Sequence, residues 1–133
     1  MKVCLCSIPV EGINTELDRG RDGGPFGITP KVAIVSLINW MKKYGYTEEE
    51  YDYYDIDMLF PKDHEMISYF KTLNPKGEGP TVIGLSAVVS TSYQQVKRIS
   101  KIVRDIYPDA WIVVGGVLAA VAETIMWKTE VDL

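Results

Sequence analysis

The chain has 133 residues, enough for one domain with a buried core. A hydrophobic share of 47% and a charged share of 24% are those of a globular domain and exclude gross disorder. The formal net charge of -4 and a pI near 5.0 argue against a nucleic-acid-binding surface, which needs clustered Lys and Arg.

No run reaches the roughly 18 apolar residues of a membrane span, and Met1-Lys2-Val3 opens no secretory leader. The expectation is a cytoplasmic protein that engages neither membrane nor nucleic acid. Lys2 to Ile8 is a near-continuous apolar run, which suits a central parallel strand. Cys4 and Cys6 share one face of it, make a poor disulfide pair and are expected to be buried. Pro9 stops the strand. Pro9 to Ile28 is a long connection rich in Gly and charge, of a length that is often functional. Thr29-Pro30 predicts a helix start, Lys42 and Lys43 suit its last turn, and Gly45 supplies a left-handed stop.

Tyr51 to Ile56 predicts a second strand nearer an edge, with Asp55 and Asp57 at its carboxyl end. Pro61 to Leu73 predicts a helix with Met66, Ile67, Phe70 and Leu73 on one side, and Asn74 to Pro80 a turn. Thr81 to Ala120 is the most informative stretch. Val82 to Leu85 forms a strand ending at Ser86, and Trp111 to Val114 another ending at Gly115-Gly116. Between them Val96, Ile99, Val103 and Ile106 recur at helical spacing, and Pro108 closes the helix. Leu118 to Lys128 predicts a fourth helix. Glu130 to Leu133 reads as the approach to a fifth strand, so residues 1–133 are expected to be one domain cut from a longer protein.

Strand and helix alternate throughout. That order predicts an α/β fold of three layers, a doubly wound parallel sheet with right-handed crossovers and strand order 2-1-3-4-5. Its switch point falls between the first and third strands, so the ends after Ile8 and Leu85 flank the expected ligand crevice.

Catalytic groups are scarce. His64, the one histidine, sits between Asp63 and Glu65 and reads as a solvated helix residue. No Cys/His spacing fits zinc, and two cysteines cannot hold an iron–sulfur cluster. Asp55 and Asp57 offer an acidic edge for a phospho-acceptor site or a small-molecule transferase. Pro9 and Ser86 stand where a receiver-type site needs acids, and no nucleophile–base pair is present. Gly20, Gly23, Gly24 and Gly27 do not follow a strand as a dinucleotide fingerprint requires. What remains is Gly115-Gly116, where a ligand can approach the backbone, and Ser86-Ala87-Val88 followed by Ser90, Thr91 and Ser92. Ser90 or Thr91 is placed to cap the coming helix, whereas Ser86 lies too early to cap and asks for another partner.

V-I-G-L-S-A-V-V-S-T (Val82 to Thr91), Y-P-D-A (Tyr107 to Ala110) and W-I-V-V-G-G-V-L-A-A (Trp111 to Ala120) together resemble the cobalamin (vitamin B12)-binding domain found ahead of radical S-adenosylmethionine modules. G-P-F-G-I-T-P (Gly24 to Pro30), leading into a helix that ends K-K-Y-G-Y, resembles that family's first loop and helix. The resemblance implies a Rossmann-like domain that holds the cofactor's nucleotide tail extended, with the corrin ring over the carboxyl edge of the sheet. It assigns cofactor contacts to Ser86, Ala87, Val88, Ser90, Thr91, Gly115, Gly116 and Val117. It also implies a radical module downstream, with its 4Fe-4S cluster and S-adenosylmethionine, as partner. The chain departs from the methyltransferase and mutase pattern, which places D-x-H-x-x-G after the first strand. I-P-V-E-G-I-N (Ile8 to Asn14) stands there, so base-off cobalamin without a histidine ligand is expected. No C-x-x-x-C-x-x-C occurs, so the chain alone is not expected to be catalytic. The alternative is a ligand-free interaction or scaffold domain. If Gly116 has ordinary dihedrals, leucine there is expected to block the cofactor and leave the thermal transition intact.

Overall fold

The structure, a computed structural model, describes residues 2–9, 31–73, 79–87, 92–116, 118–119 and 122–133. Four strands form one parallel sheet: β1 (Val3–Ser7), β2 (Tyr51–Asp55), β3 (Val82–Ser86) and β4 (Trp111–Gly115), in the order β2-β1-β3-β4. The helices are α1 (Val32–Lys43), α2 (Ile56–Leu59), α3 (Asp63–Thr72), α4 (Tyr93–Ile106) and α5 (Ala122–Lys128). The predicted α/β class and the order of the first four strands are therefore observed.

Side chains alternate across the sheet, and the two faces fare differently. On one face Cys4, Cys6, Ile83, Leu85, Ile112 and Val114 are buried with residues of α3, α4 and α5. α4 shows why it packs there: Val96, Ile99 and Val103 recur on one side and are fully buried, and each contributes about 1.5–3 kcal/mol. Cys4 and Cys6 are free thiols buried in that core, as their strand position predicts. On the other face Val3 and Leu5 pack against Ile34 of α1, with Ile38, Met41, Tyr51 and Val82 around them.

Several boundaries differ from the sequence reading. α1 begins at Val32 with Lys31 as its N-cap residue, and no side chain caps it. Thr29 and Pro30, the predicted start, lie outside the described residues, as do the 10–28 connection and turn residues 74–78. Gly45 does adopt the left-handed conformation just beyond α1, at φ 90. α3 starts at Asp63 because Glu65 turns back to accept from the Lys62 backbone N–H at 2.7 Å.

Among the described residues no fifth strand is formed. Val131 to Leu133 lies along the open edge of β4, where the Asp132 N–H donates to Ile112 O and the Val114 N–H to Leu133 O, each at 2.8 Å. The Ile112 N–H, however, donates to the Asp132 carboxylate at 2.7 Å, where a ladder needs a backbone carbonyl. Arg104 holds that carboxylate at 2.7 Å and also donates to the carbonyls of Pro108, Ala110 and Glu130. A side chain thus occupies the place of the strand's first carbonyl, and regular pairing does not begin.

Candidate ligand site at the carboxyl edge of the sheet

The register places Asp55, Ser7, Ser86 and Gly115 in one row across the carboxyl ends of β2, β1, β3 and β4. All four belong to the face that carries α1, since each lies two residues on from a residue of that face. The expected crevice is therefore present as a single edge, tied together where the Ile8 N–H donates to Ser86 O at 3.1 Å.

The two halves of the row differ in what their polar groups already touch. Ser7, 3% exposed, donates to Asp55 Oδ1 at 2.5 Å and accepts the Asp57 N–H at 3.4 Å. Asp55 Oδ1 also accepts from the Met58 N–H at 3.0 Å and so caps α2, and the Lys31 ammonium pairs with Asp57. This acidic corner is a latch between β1, β2 and α1. Both carboxylates are committed within the protein, and among the described residues no group of three or more His, Cys, Asp or Glu is placed to hold a metal ion. At the other half, no described group bonds to the Ser86 hydroxyl. Gly115 is exposed, and a Cβ built there meets nothing within 4 Å. Among the described residues nothing makes glycine a steric need at position 115.

Gly116 is the opposite case. It sits at φ 97, and a Cβ there falls 2.2 Å from the Ala87 carbonyl oxygen. The two strand ends cross at that point: Ala87 N–H donates to Gly115 O at 2.9 Å, and Leu118 N–H to Ala87 O at 3.4 Å. The condition of ordinary dihedrals fails, so the expectation that leucine at 116 spares the thermal transition is corrected. Gly116 is required by the chain's own backbone, and Ala87, fully buried beneath it, is its packing partner. Val88, Ser90, Thr91 and Val117 lie outside the described residues. The N-cap residue of α4 is Ser92, whose buried hydroxyl makes no cap bond and has no partner among the described residues. Leaving such a group unpaired costs about 1–3 kcal/mol.

Sequence reasoning missed Gly84. It lies two residues below Ser86 on the same face, beside Val113 of β4, and a Cβ there comes within 2.9 Å of the end of the Leu5 side chain. Gly84, Ser86 and Gly115 make a shallow lane of small residues running up to the carboxyl edge. The signal was a glycine inside an otherwise β-branched strand, which marks a close approach. His64 is exposed on α3, as expected for a solvated helix residue.

Tyr53 stands on this face beside the latch. Burial pushes its phenol up to about 12, helped by Asp55 and opposed by a hydrogen bond with Ser7; burial also raises Tyr54, Tyr69 and Tyr107. A raised phenol leaves folding unaffected below the unfolded pKa near 10 and opposes it as pH climbs from there through the folded value. Stability is therefore expected to fall between pH 10 and about 12, and Tyr53→Phe to move the alkaline midpoint upward in a fluorescence-monitored titration. An unmoved midpoint assigns the alkaline transition to other groups.

Comparison with models of known protein families gives no match, and comparison with curated proteins gives none either. No helix among the described residues is long and apolar enough to cross a membrane.

Proposed function

We propose that this chain is a cobalamin-binding domain, which holds a base-off corrinoid for a radical S-adenosylmethionine module and acts in the cytoplasm. The observation that carries the reading is the division of the carboxyl-edge row. Asp55 and Ser7 satisfy one another, whereas among the described residues the Ser86 hydroxyl has no bonding partner and nothing lies within 4 Å of a Cβ built at Gly115. A bulky amphipathic ligand takes such a place, with apolar walls, few polar anchors and close backbone approach.

On this reading the nucleotide tail lies along the lane of Gly84, Ser86 and Gly115, and the corrin ring rests over the strand ends. Ser86 donates to or accepts from the tail, and Gly115 leaves room for it. Ala87 and Gly116 act indirectly, by fixing where the ends of β3 and β4 meet. I-P-V-E-G-I-N (Ile8 to Asn14) stands where D-x-H-x-x-G would supply an imidazole, so on this reading the cobalt is held without a histidine below it. Cobalamin supplies methyl or radical chemistry to the partner module; the residues here bind and orient it. The 4Fe-4S cluster and S-adenosylmethionine belong to that module, because Cys4 and Cys6 are both buried inside β1. A completed fifth strand beside β4, giving the order 2-1-3-4-5, belongs to the same reading.

Equilibrium dialysis of the purified protein against hydroxocobalamin tests it. The expected result is retained colour with the visible spectrum of a base-off corrinoid. Equal cobalamin on both sides of the membrane sinks the reading.

A further inference from the structure

The outer edge of β4 carries a sequence that sheets normally hide. Among the described residues β4 ends the sheet, and Trp111-Ile112-Val113-Val114 is uncharged, free of proline and rich in β-branched residues. Its backbone groups alternate sides. Trp111 N–H donates to Thr81 O at 2.9 Å, on the β3 side, whereas the N–H groups of Ile112 and Val114 point outward. Such an edge is a template for another strand, and the identical strand of a second copy is its ready match.

Residues 130–133 cover that edge, and side chains do much of the holding. Glu130 N–H donates to Ser100 Oγ at 3.2 Å, and Val131 N–H to Thr129 Oγ1 at 3.3 Å. Ile112 N–H goes to the Asp132 carboxylate, which Arg104 of α4 holds at 2.7 Å. The same guanidinium donates to Glu130 O at 3.0 Å, and to Pro108 O and Ala110 O in the turn before β4. One residue therefore joins α4, the entry of β4 and the covering segment. The Arg104 and Asp132 side chains are 23% and 33% exposed, so solvent screens the pair only in part. Asp132 also sets a charge where a foreign strand would have to offer a carbonyl.

We propose that Arg104 and Asp132 form a clasp that locks residues 130–133 down as a strap and so guards β4 against pairing with the β4 of another copy. The proposal does not rest on the cobalamin reading. Native-state amide exchange, read residue by residue by NMR, and sedimentation velocity over a concentration series test it together. The first variant, Arg104→Met, keeps the aliphatic stem and removes the guanidinium. Its exchange at Ile112 and Val114 is expected to quicken about 10- to 100-fold, while Cys4 and Cys6 of β1 keep the wild-type rate. If Arg104→Met does not fold, Asp132→Asn, which keeps an oxygen for the Ile112 N–H, is expected to show the same pattern at smaller amplitude. The wild type is expected to sediment as one 14.9 kDa chain, and the opened variant to gain mass with concentration. Adding Trp111→Lys, at a side chain 59% exposed, is expected to abolish that association and leave exchange fast. Unchanged exchange at Ile112 and Val114 overturns the clasp, as does equal quickening in β1, which is opening of the whole fold. Association no greater than the wild type's, or untouched by Trp111→Lys, overturns the guard.

Discussion

Gly116→Ala is expected to destabilise the protein by about 2–4 kcal/mol, a fall of about 10 °C in the midpoint of thermal unfolding. Two costs combine. At φ 97 any side chain is strained, and the added methyl falls 2.2 Å from the Ala87 oxygen and 2.8 Å from its carbonyl carbon. Neither atom is the free end of a flexible side chain, so relief requires the ends of β3 and β4 to part, breaking the Ala87–Gly115 hydrogen bond. Gly45→Ala separates the costs. Gly45 has φ 90 but nothing within 4 Å of its built Cβ, so it carries the dihedral penalty alone, about 1 kcal/mol. Urea unfolding of the two variants measures the difference. Equal losses remove the steric contribution, and an unchanged Gly116→Ala transition removes both.

The sheet was legible because hydrophobic period and order suffice for it. Three near-continuous apolar runs and one alternating run fixed which strands are central, and right-handed crossovers left few arrangements. What escaped were places where a side chain takes over a backbone role. Asp55 reads as the end of an acidic strand, but its carboxylate caps the four-residue α2, too short for any periodic signal. Asp132 reads as part of a strand, but its carboxylate takes the Ile112 N–H and Arg104 anchors it there. Both depend on neighbours 20 or more residues away in the chain or on one turn of geometry, and periodicity carries neither.

The candidate site was legible in part for a similar reason. Residues at strand ends can be named from the strands alone, so Ser86 and Gly115 followed from the sequence. Their separation from Asp55 and Ser7 did not, because it depends on register, which pairs Ser7 with Asp55 on one side and with Ser86 on the other. The glycine pair shows the limit most clearly. Two adjacent glycines are indistinguishable as letters, yet one is imposed by a carbonyl beneath it and the other by none of the described residues.

That asymmetry makes Gly115→Leu the sharper probe of function. Gly115 is outside the left-handed region, and a Cβ there meets none of the described residues within 4 Å, so a side chain can leave the backbone without strain. Replacing a strand glycine also removes freedom from the unfolded chain, which favours folding by about 0.5–1 kcal/mol. Stability is thus expected to hold or rise slightly, while cobalamin retention in dialysis is lost, because the new side chain occupies the space beside Ser86. Opposed signs are the strength of the test, since a misfolded variant loses both properties together. Ser86→Ala grades it: removing one hydrogen bond of about 0.5–1.5 kcal/mol weakens retention up to about tenfold without abolishing it. Leucine at 115 with undiminished retention would place the cofactor elsewhere, and the open glycine would then need a different explanation from the one its geometry invites.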